Sequence, residues 1–439
     1  MKNQLLYILL FLTLSFGAMA QSQPNIILFF VDDMGWADVN HRNEKFHTPN
    51  LDQLRQESLE FTRAYIATPT CSPSRASLLT GKEPVRFQMS RHAMSGNQEE
   101  FHLWETDPVQ RPSRNWLPLE EETYAEALKE EGYYNYFIGK WHLGHAPYYP
   151  VHQGFDAQYY TNDHGHPKSY YPPYFKEGNP FPNTTQDDYL TDVLTQEATR
   201  FVKEYDKDQP FMLSFWYFNV HGPHIGRKDW VERYKKEGLE GKQAEYAAMV
   251  STTDESIGQV RQALKDKGVA ENTVIIFLSD QGSYFQNLPL SGGKRGGNSL
   301  GEGGARVPMY VLYPNVTQSN STCDVPVQSL DIFPTLKEIA SGKQYKNKAI
   351  QGKSLLPLLK NGKIKKRSLY FFRSYEDQYS AIMQGDWKLV KYHSGKYQLF
   401  NVKNDISEKT NLDGTGLRQE KKLKRKIKKW EAEAVPVFK

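Results

Sequence analysis

The chain reads as an α/β sandwich with a large, mostly parallel central sheet, followed by a small C-terminal α+β subdomain. Three observations predict this. Short apolar, β-rich runs alternate with helical patterns, as in chains that wind helices over both faces of a parallel sheet. The strongest runs are apolar at nearly every position, as strands buried on both faces must be. After about residue 360 the texture changes to short segments of alternating polarity.

The N-terminus reads as an export leader over residues 1–20. Lys2 supplies positive charge, an apolar run extends from Leu5 to Phe16, and Ala18-Met19-Ala20 offers a small-x-small cleavage site. The run is too short to span a bilayer comfortably, no Cys follows the cleavage site, and no later segment is apolar enough to cross a membrane. The expected destination is therefore secreted or periplasmic, without membrane insertion.

Strands are expected at Asn25 to Val31, Tyr133 to Ile138, Phe211 to Tyr217 and Val274 to Leu278. Helices are expected at Pro49 to Tyr65, Leu119 to Glu131, Asp188 to Tyr205 and Gln243 to Lys267. Ser368 to Arg373 and Trp387 to Tyr392 read as antiparallel strands, and a basic helix from about Leu417 to Ala434 closes the chain. The organisation that follows is a main domain over 21–360 and a subdomain over 361–439.

Composition is ordinary for a globular chain, at 38% hydrophobic and 24% charged residues. A net charge of +4 over 439 residues, with no motif of that class, argues against nucleic-acid binding. The run Lys421 to Lys429 reads as a solvated helix face. Two cysteines, Cys71 and Cys323, could form a disulfide on spacing alone.

Each expected strand runs into polar, ionisable residues. Asp32-Asp33 follow the first, Gly139-Lys140-Trp141-His142 the second, His221-Gly222-Pro223-His224 the third and Ser279-Asp280-Gln281-Gly282 the fourth. Open α/β sheets bind ligands outside the carboxyl ends of their strands. Any one of these ends could be a turn or a cap, but four together would gather three Asp, one Gln, three His and one Lys. Adjacent carboxylates repel unless a proton or a cation sits between them. Asp32, Asp33, Asp280 and Gln281 could offer an all-oxygen site that suits a hard cation, Ca²⁺ ahead of Mg²⁺.

One segment points to a family. Thr70-Cys71-Ser72-Pro73-Ser74-Arg75, continuing to Thr80-Gly81, resembles the C-x-P-S-R…T-G signature of type I sulfatases, which have the alkaline-phosphatase-like fold. Gly139 to Gly144 is similar to that family's second signature, Glu302 to Pro308 to its E-G-G-x-R-V-P segment, and Gln384 to Leu389 with Leu399 to Asn401 to its closing subdomain. The resemblance spans nearly the whole chain after the leader.

The resemblance implies hydrolysis of sulfate esters, on a sulfated oligo- or polysaccharide in an exported bacterial enzyme. It implies that Cys71 is converted to formylglycine by a separate formylglycine-generating enzyme. One hydroxyl of the aldehyde hydrate attacks sulfur, and collapse of the other expels sulfate, which splits one hard step into two. Asp32, Asp33, Asp280 and Gln281 would ligate one divalent cation together with residue 71. Arg75 would hold the hydrate and the carboxylates. Lys140 and Lys294 would bind sulfate oxygens. His142 would take the proton of the second hydroxyl, His224 would bind sulfate and protonate the leaving alcohol, and His221 is a neighbouring sulfate-binding candidate.

Three positions depart from the family pattern. Gln281 stands where many members have Asn or His. Lys294 lies farther from Glu302-Gly303-Gly304 than is usual, with Gly297 at the nearest equivalent spacing, and Gly226 replaces a Pro after the His224 segment. Two other functions fit the same residues: a phosphate or phosphonate ester hydrolase on the same fold, or a non-catalytic binder of sulfated glycans with an unconverted Cys71.

Overall fold

The structure is a computed structural model that describes residues 23–435 apart from positions 97, 98, 106, 286, 296, 374 and 375. The expected leader lies outside the described residues. Among those described, no helix is long and apolar enough to cross a membrane.

The strands, in chain order, are β1 (Asn25–Val31), β2 (Leu59–Phe61), β3 (Ala64–Tyr65), β4 (Tyr134–Gly139), β5 (Ala157–Tyr159), β6 (Phe211–Trp216), β7 (Thr273–Ser279), β8 (Arg306–Val307), β9 (Met309–Leu312), β10 (Ser321–Cys323) and β11 (Val327–Gln328). Four more follow: β12 (Ser368–Phe372), β13 (Gln378–Gln384), β14 (Trp387–Tyr392) and β15 (Tyr397–Asn401). The central sheet has the order β10-β2-β9-β7-β1-β6-β4-β5. Its pairings are parallel except those of β9 with β7 and with β2.

Strand β1 explains why this is a sandwich. Its side chains alternate between faces. Ile26, Leu28 and Phe30 belong to a core built with the helices Cys71–Thr80, Tyr124–Lys129 and Ile332–Ser341. Ile27, Phe29 and Val31 belong to a second core beneath Leu190–Glu204 and Gly241–Lys267. Apolar layers on both sides account for the unbroken apolar run in the sequence.

The expected fold class is the one observed, and most expected elements are present within a residue or two. The helix expected over Pro49 to Tyr65 is a correction. It stops at Glu57, and the following residues form β2 and β3. Residues Leu59 and Glu60 pair antiparallel with Val311 and Tyr310, a partner about 250 positions away that no local pattern reveals. The helix expected from Leu119 begins only at Tyr124. Thr123 caps it, accepting from the Glu126 N–H while the Glu126 carboxylate accepts from the Thr123 N–H.

The C-terminal sheet β12-β13-β14-β15 is antiparallel throughout and is covered by the helix Arg418–Ala434. That helix buries Leu423, Ile427 and Trp430 while Lys421, Lys422, Lys428 and Lys429 face solvent, as expected for the charge run. The two cysteines are both free.

Candidate active site

Strands β7, β1, β6 and β4 are consecutive neighbours and mutually parallel, so their carboxyl ends lie side by side. Asp280-Gln281, Asp32-Asp33, His221 and Lys140 therefore converge from remote parts of the sequence. Gly139 is required at this edge. Its φ is +100°, and a Cβ would sit 2.1 Å from the Trp216 carbonyl oxygen. Asp33 and His142 hold positive φ values of 66° and 58° without being glycine, a strain typical of functional sites.

Cys71 opens a helix whose ten residues are all buried and which ends at Gly81 in the left-handed conformation. Its helix position leaves backbone N–H groups and the positive dipole end beside the sulfur. Burial pushes the Cys71 thiol up, but Lys140 and Lys294 outweigh it and bring it down to about 7. The site therefore favours negative charge at position 71. Gln281 reaches the sulfur through its amide at 3.2 Å, and His221 also bonds it.

The charged groups interlock. Arg75, wholly buried, donates from Nη2 to Asp280 Oδ2 at 3.1 Å and from Nη1 to the Lys140 carbonyl at 2.9 Å. It lies 3.7 Å from Asp32 Oδ2. Asp280 Oδ1 accepts the Asp33 N–H at 3.0 Å. Lys140 pairs with Asp32 and Lys294 pairs with Asp33. Burial raises the Asp32 carboxyl, yet Lys140, His221, Arg75 and Lys294 together hold it below the usual carboxylate range.

A hard cation fits this arrangement. Asp32 Oδ1 and Asp33 Oδ1 are buried and lack any hydrogen-bond partner, which is costly unless something positive lies between them. One carboxylate oxygen from each Asp and Cys71 Sγ lie within 4.8 Å of one another. Both carboxylate oxygens of Asp280 are already engaged, one by Arg75 and one by Asp33.

Cys71, His142, His221, Gln281 and Lys294 line a cavity of about 710 Å³. Lys140 is fully buried behind it. His142 meets the Ala93 carbonyl through Nε2 at 3.0 Å, leaving Nδ1 buried without a partner. Burial, Lys140 and Arg75 keep this imidazole neutral at ordinary pH. Gly165 leaves room for the same ring, since a Cβ there would come within 2.6 Å of it. His224 lines an adjoining cavity instead, its ring against Tyr284 at 4.9 Å.

Several lining residues carry no recognisable sequence signal. Arg91 and His92 come from an aperiodic loop, and Arg373 and Glu376 come from the C-terminal sheet beyond β12. Burial first, then His142, Arg91, Lys294 and Lys140, push the His92 imidazole down to about 3. Tyr170, buried beside the site, is structural. Its hydroxyl donates to the Phe218 and His221 carbonyls at 2.7 and 2.8 Å and so holds the His221 loop.

The family follows from the chain's own match. Residues 24–343 match the sulfatase family model. The chain belongs to the sulfatase family. Residues 299–433 match the model described as N-sulphoglucosamine sulphohydrolase, C-terminal. This sulfatase is 31% identical to human N-acetylgalactosamine-6-sulfatase, covering 81% of this chain and 69% of the relative. It is 28% identical to a sulfatase of Formosa agariphila, covering 94% and 89%. The crystal structure of Ps i-CgsB in complex with k-i-k-neocarrahexaose superposes with a TM-score of 0.81 at 29% identity, covering 94% and 93%. The enzyme is a sulfuric ester hydrolase, and the alkaline-phosphatase-like sandwich expected from sequence is its fold.

Proposed function

We propose that this sulfatase removes sulfate esters from a sulfated carbohydrate, with residue 71 as nucleophile after conversion to formylglycine. The observation that carries this reading is the pair of orphaned, buried oxygens on Asp32 and Asp33 beside Cys71, next to a cup lined by Lys294 and neutral histidines and backed by the buried Lys140. The glycan class is supported by the oligosaccharide bound to Ps i-CgsB and by the aminosugar sulfatases among the relatives.

Asp32, Asp33, Asp280 and Gln281 would hold one divalent cation with residue 71, Ca²⁺ ahead of Mg²⁺ because the donors are carboxylate and amide oxygens. Such an ion supplies Lewis acidity toward the sulfate oxygens and lowers the pKa of a nearby hydroxyl. The chain's own residues do the rest. Arg75 fixes Asp280 and the Lys140 carbonyl, which keeps the acidic wall rigid. Lys140 and Lys294 offset charge that develops on the sulfate oxygens. His142 donates Nε2–H to Ala93 and so offers Nδ1 as the acceptor for the proton of a residue-71 hydroxyl. His221 orients residue 71. His224, with Nε2 buried and unpartnered, is assigned to the alcohol side of the ester.

We read residues 21–360 as the catalytic unit, 361–439 as the closing subdomain, and 1–20 as a leader for secretion or periplasmic export. A formylglycine-generating enzyme is the implied maturation partner. Two measurements test the reading. Purified enzyme from a host that makes formylglycine should turn over sulfated oligosaccharides much faster than phosphate diesters. Mass spectrometry of the peptide containing Cys71 should show formylglycine. An unmodified thiol in a fully active preparation would overturn the mechanism.

A further inference from the structure

The active-site cavity opens onto a second one of about 900 Å³, the two meeting along His166, His221, Lys294 and Arg295. Five cations line this second cavity: Lys168, Lys176, Lys242, Lys294 and Arg295. Its described lining contains no Asp or Glu. Lys294 is committed to Asp33, but Lys168, Lys176, Lys242 and Arg295 are exposed and form no ion pair among the described residues. The whole chain nets only +4, so four exposed cations without an ion pair in one concavity are a local concentration, not a general surface property. They arise from separate segments that the fold brings together.

Two further features suit a sugar. Tyr284 backs the cavity, with Arg295 stacked at 4.9 Å on its ring, and offers an amphipathic face. His224 shows the strength of the field. Burial lowers it first, and Lys294, Lys242 and Arg295 lower it further, to about 4.

Like charges held together in a concavity repel one another and attract an anion. A neutral sugar would leave them uncompensated. Resting on the sulfate-ester reading, we infer that this second cavity is a subsite for a further anionic group on a sugar next to the one being desulfated. The preferred substrate is then a polyanionic glycan of at least two sugars, not a singly sulfated one. A sulfate and a uronate carboxylate share the required chemistry.

The experiment compares four substrates: p-nitrophenyl sulfate, a singly sulfated disaccharide, the same disaccharide with a second sulfate on the neighbouring sugar, and the same with a uronate on that sugar. The enzyme and the double variant K176E/K242E are assayed on each. The native enzyme should prefer one or both dianionic disaccharides by roughly tenfold in kcat/KM, the scale expected of a few partly exposed charge contacts. K176E/K242E should lose that preference through KM; because Lys242 also acts on His224, the preference is read as a ratio to p-nitrophenyl sulfate turnover by the same protein. The two dianionic arms identify which anion the subsite takes. Equal kcat/KM for singly and doubly charged disaccharides, or a preference that survives in K176E/K242E, overturns the inference. If the native enzyme turns over none of the sulfates, the function reading fails instead. Calorimetric binding of the same disaccharides to the two proteins then decides the subsite separately, with tighter dianion binding that K176E/K242E abolishes as the supporting result and equal binding as the refuting one.

Discussion

Lys388→Met should destabilise the protein strongly, and more at alkaline pH than at acid pH. The Lys388 side chain is 0% exposed on β14, in the C-terminal sheet. Its Nζ lies 3.0 Å from Glu302 Oε1 and 3.0 Å from Glu408 Oε1, whose side chains are 0% and 2% exposed. At this separation and an effective dielectric near 20, each contact amounts to about 5.5 kcal/mol before desolvation. Desolvation offsets much of that, but removing one partner of a buried pair typically costs roughly 3–5 kcal/mol. Here one ammonium serves two carboxylates. Glu302 would keep Arg306 and the Tyr65 hydroxyl, whereas Glu408 would keep only the Ser291 hydroxyl and the Glu302 N–H.

Glu408 sets the pH dependence. Burial and then Glu302 raise its carboxyl, with Lys388 opposing them. Without Lys388 it rises further. A carboxyl raised above its unfolded value binds more protons in the folded state, so its stability contribution is present at low pH and lost as pH rises. The gap between Lys388→Met and the native enzyme should therefore narrow on acidification from pH 8 toward 5. Thermal and urea unfolding at both pH values measure it. A gap below about 1 kcal/mol at pH 8 falls outside the range for breaking a buried pair and would refute the reasoning. So would a gap that widens on acidification. The loop carrying Lys294 is tied to Glu408 through Ser291, so KM for the sulfate ester should rise in the same variant.

Cys71→Ala should abolish turnover while circular dichroism stays native, because the side chain is small and only sulfur contacts are lost; substantial residual activity would contradict its role as nucleophile. Asp32→Asn should lower bound Ca²⁺ measured by elemental analysis and also destabilise the fold by a few kcal/mol, since Lys140 would be left buried without its partner. His92 is held down to about 3, so the folded state takes up its proton later than the unfolded chain does, and stability should fall as pH drops from about 6.5 toward 3. Replacing His92 with Phe, which keeps a ring against Trp104, should flatten that part of the acid-unfolding profile, and an unchanged profile would show that His92 does not drive it.

The sequence alone determined the fold class, because burial on both faces forces an unbroken apolar run and β1 and β7 have one. It also pointed to the carboxyl ends of β1, β4, β6 and β7 as the candidate site, since each apolar run leads into ionisable residues. The helix start at Thr123 was legible too, in its T-x-x-E pattern, although the expected boundary lay several residues earlier. The tertiary structure decided what depends on long-range pairing. It ended the helix at Glu57 to supply β2 for β9, and it brought Arg373 and Glu376 from the distant C-terminal sheet to the rim of the cavity. It also set His221 rather than His224 against residue 71, and gathered Lys168, Lys176, Lys242 and Arg295 around one space. Local propensity and hydrophobic period act over a few residues, whereas cavities and ion clusters arise where strands and loops distant in sequence are packed side by side.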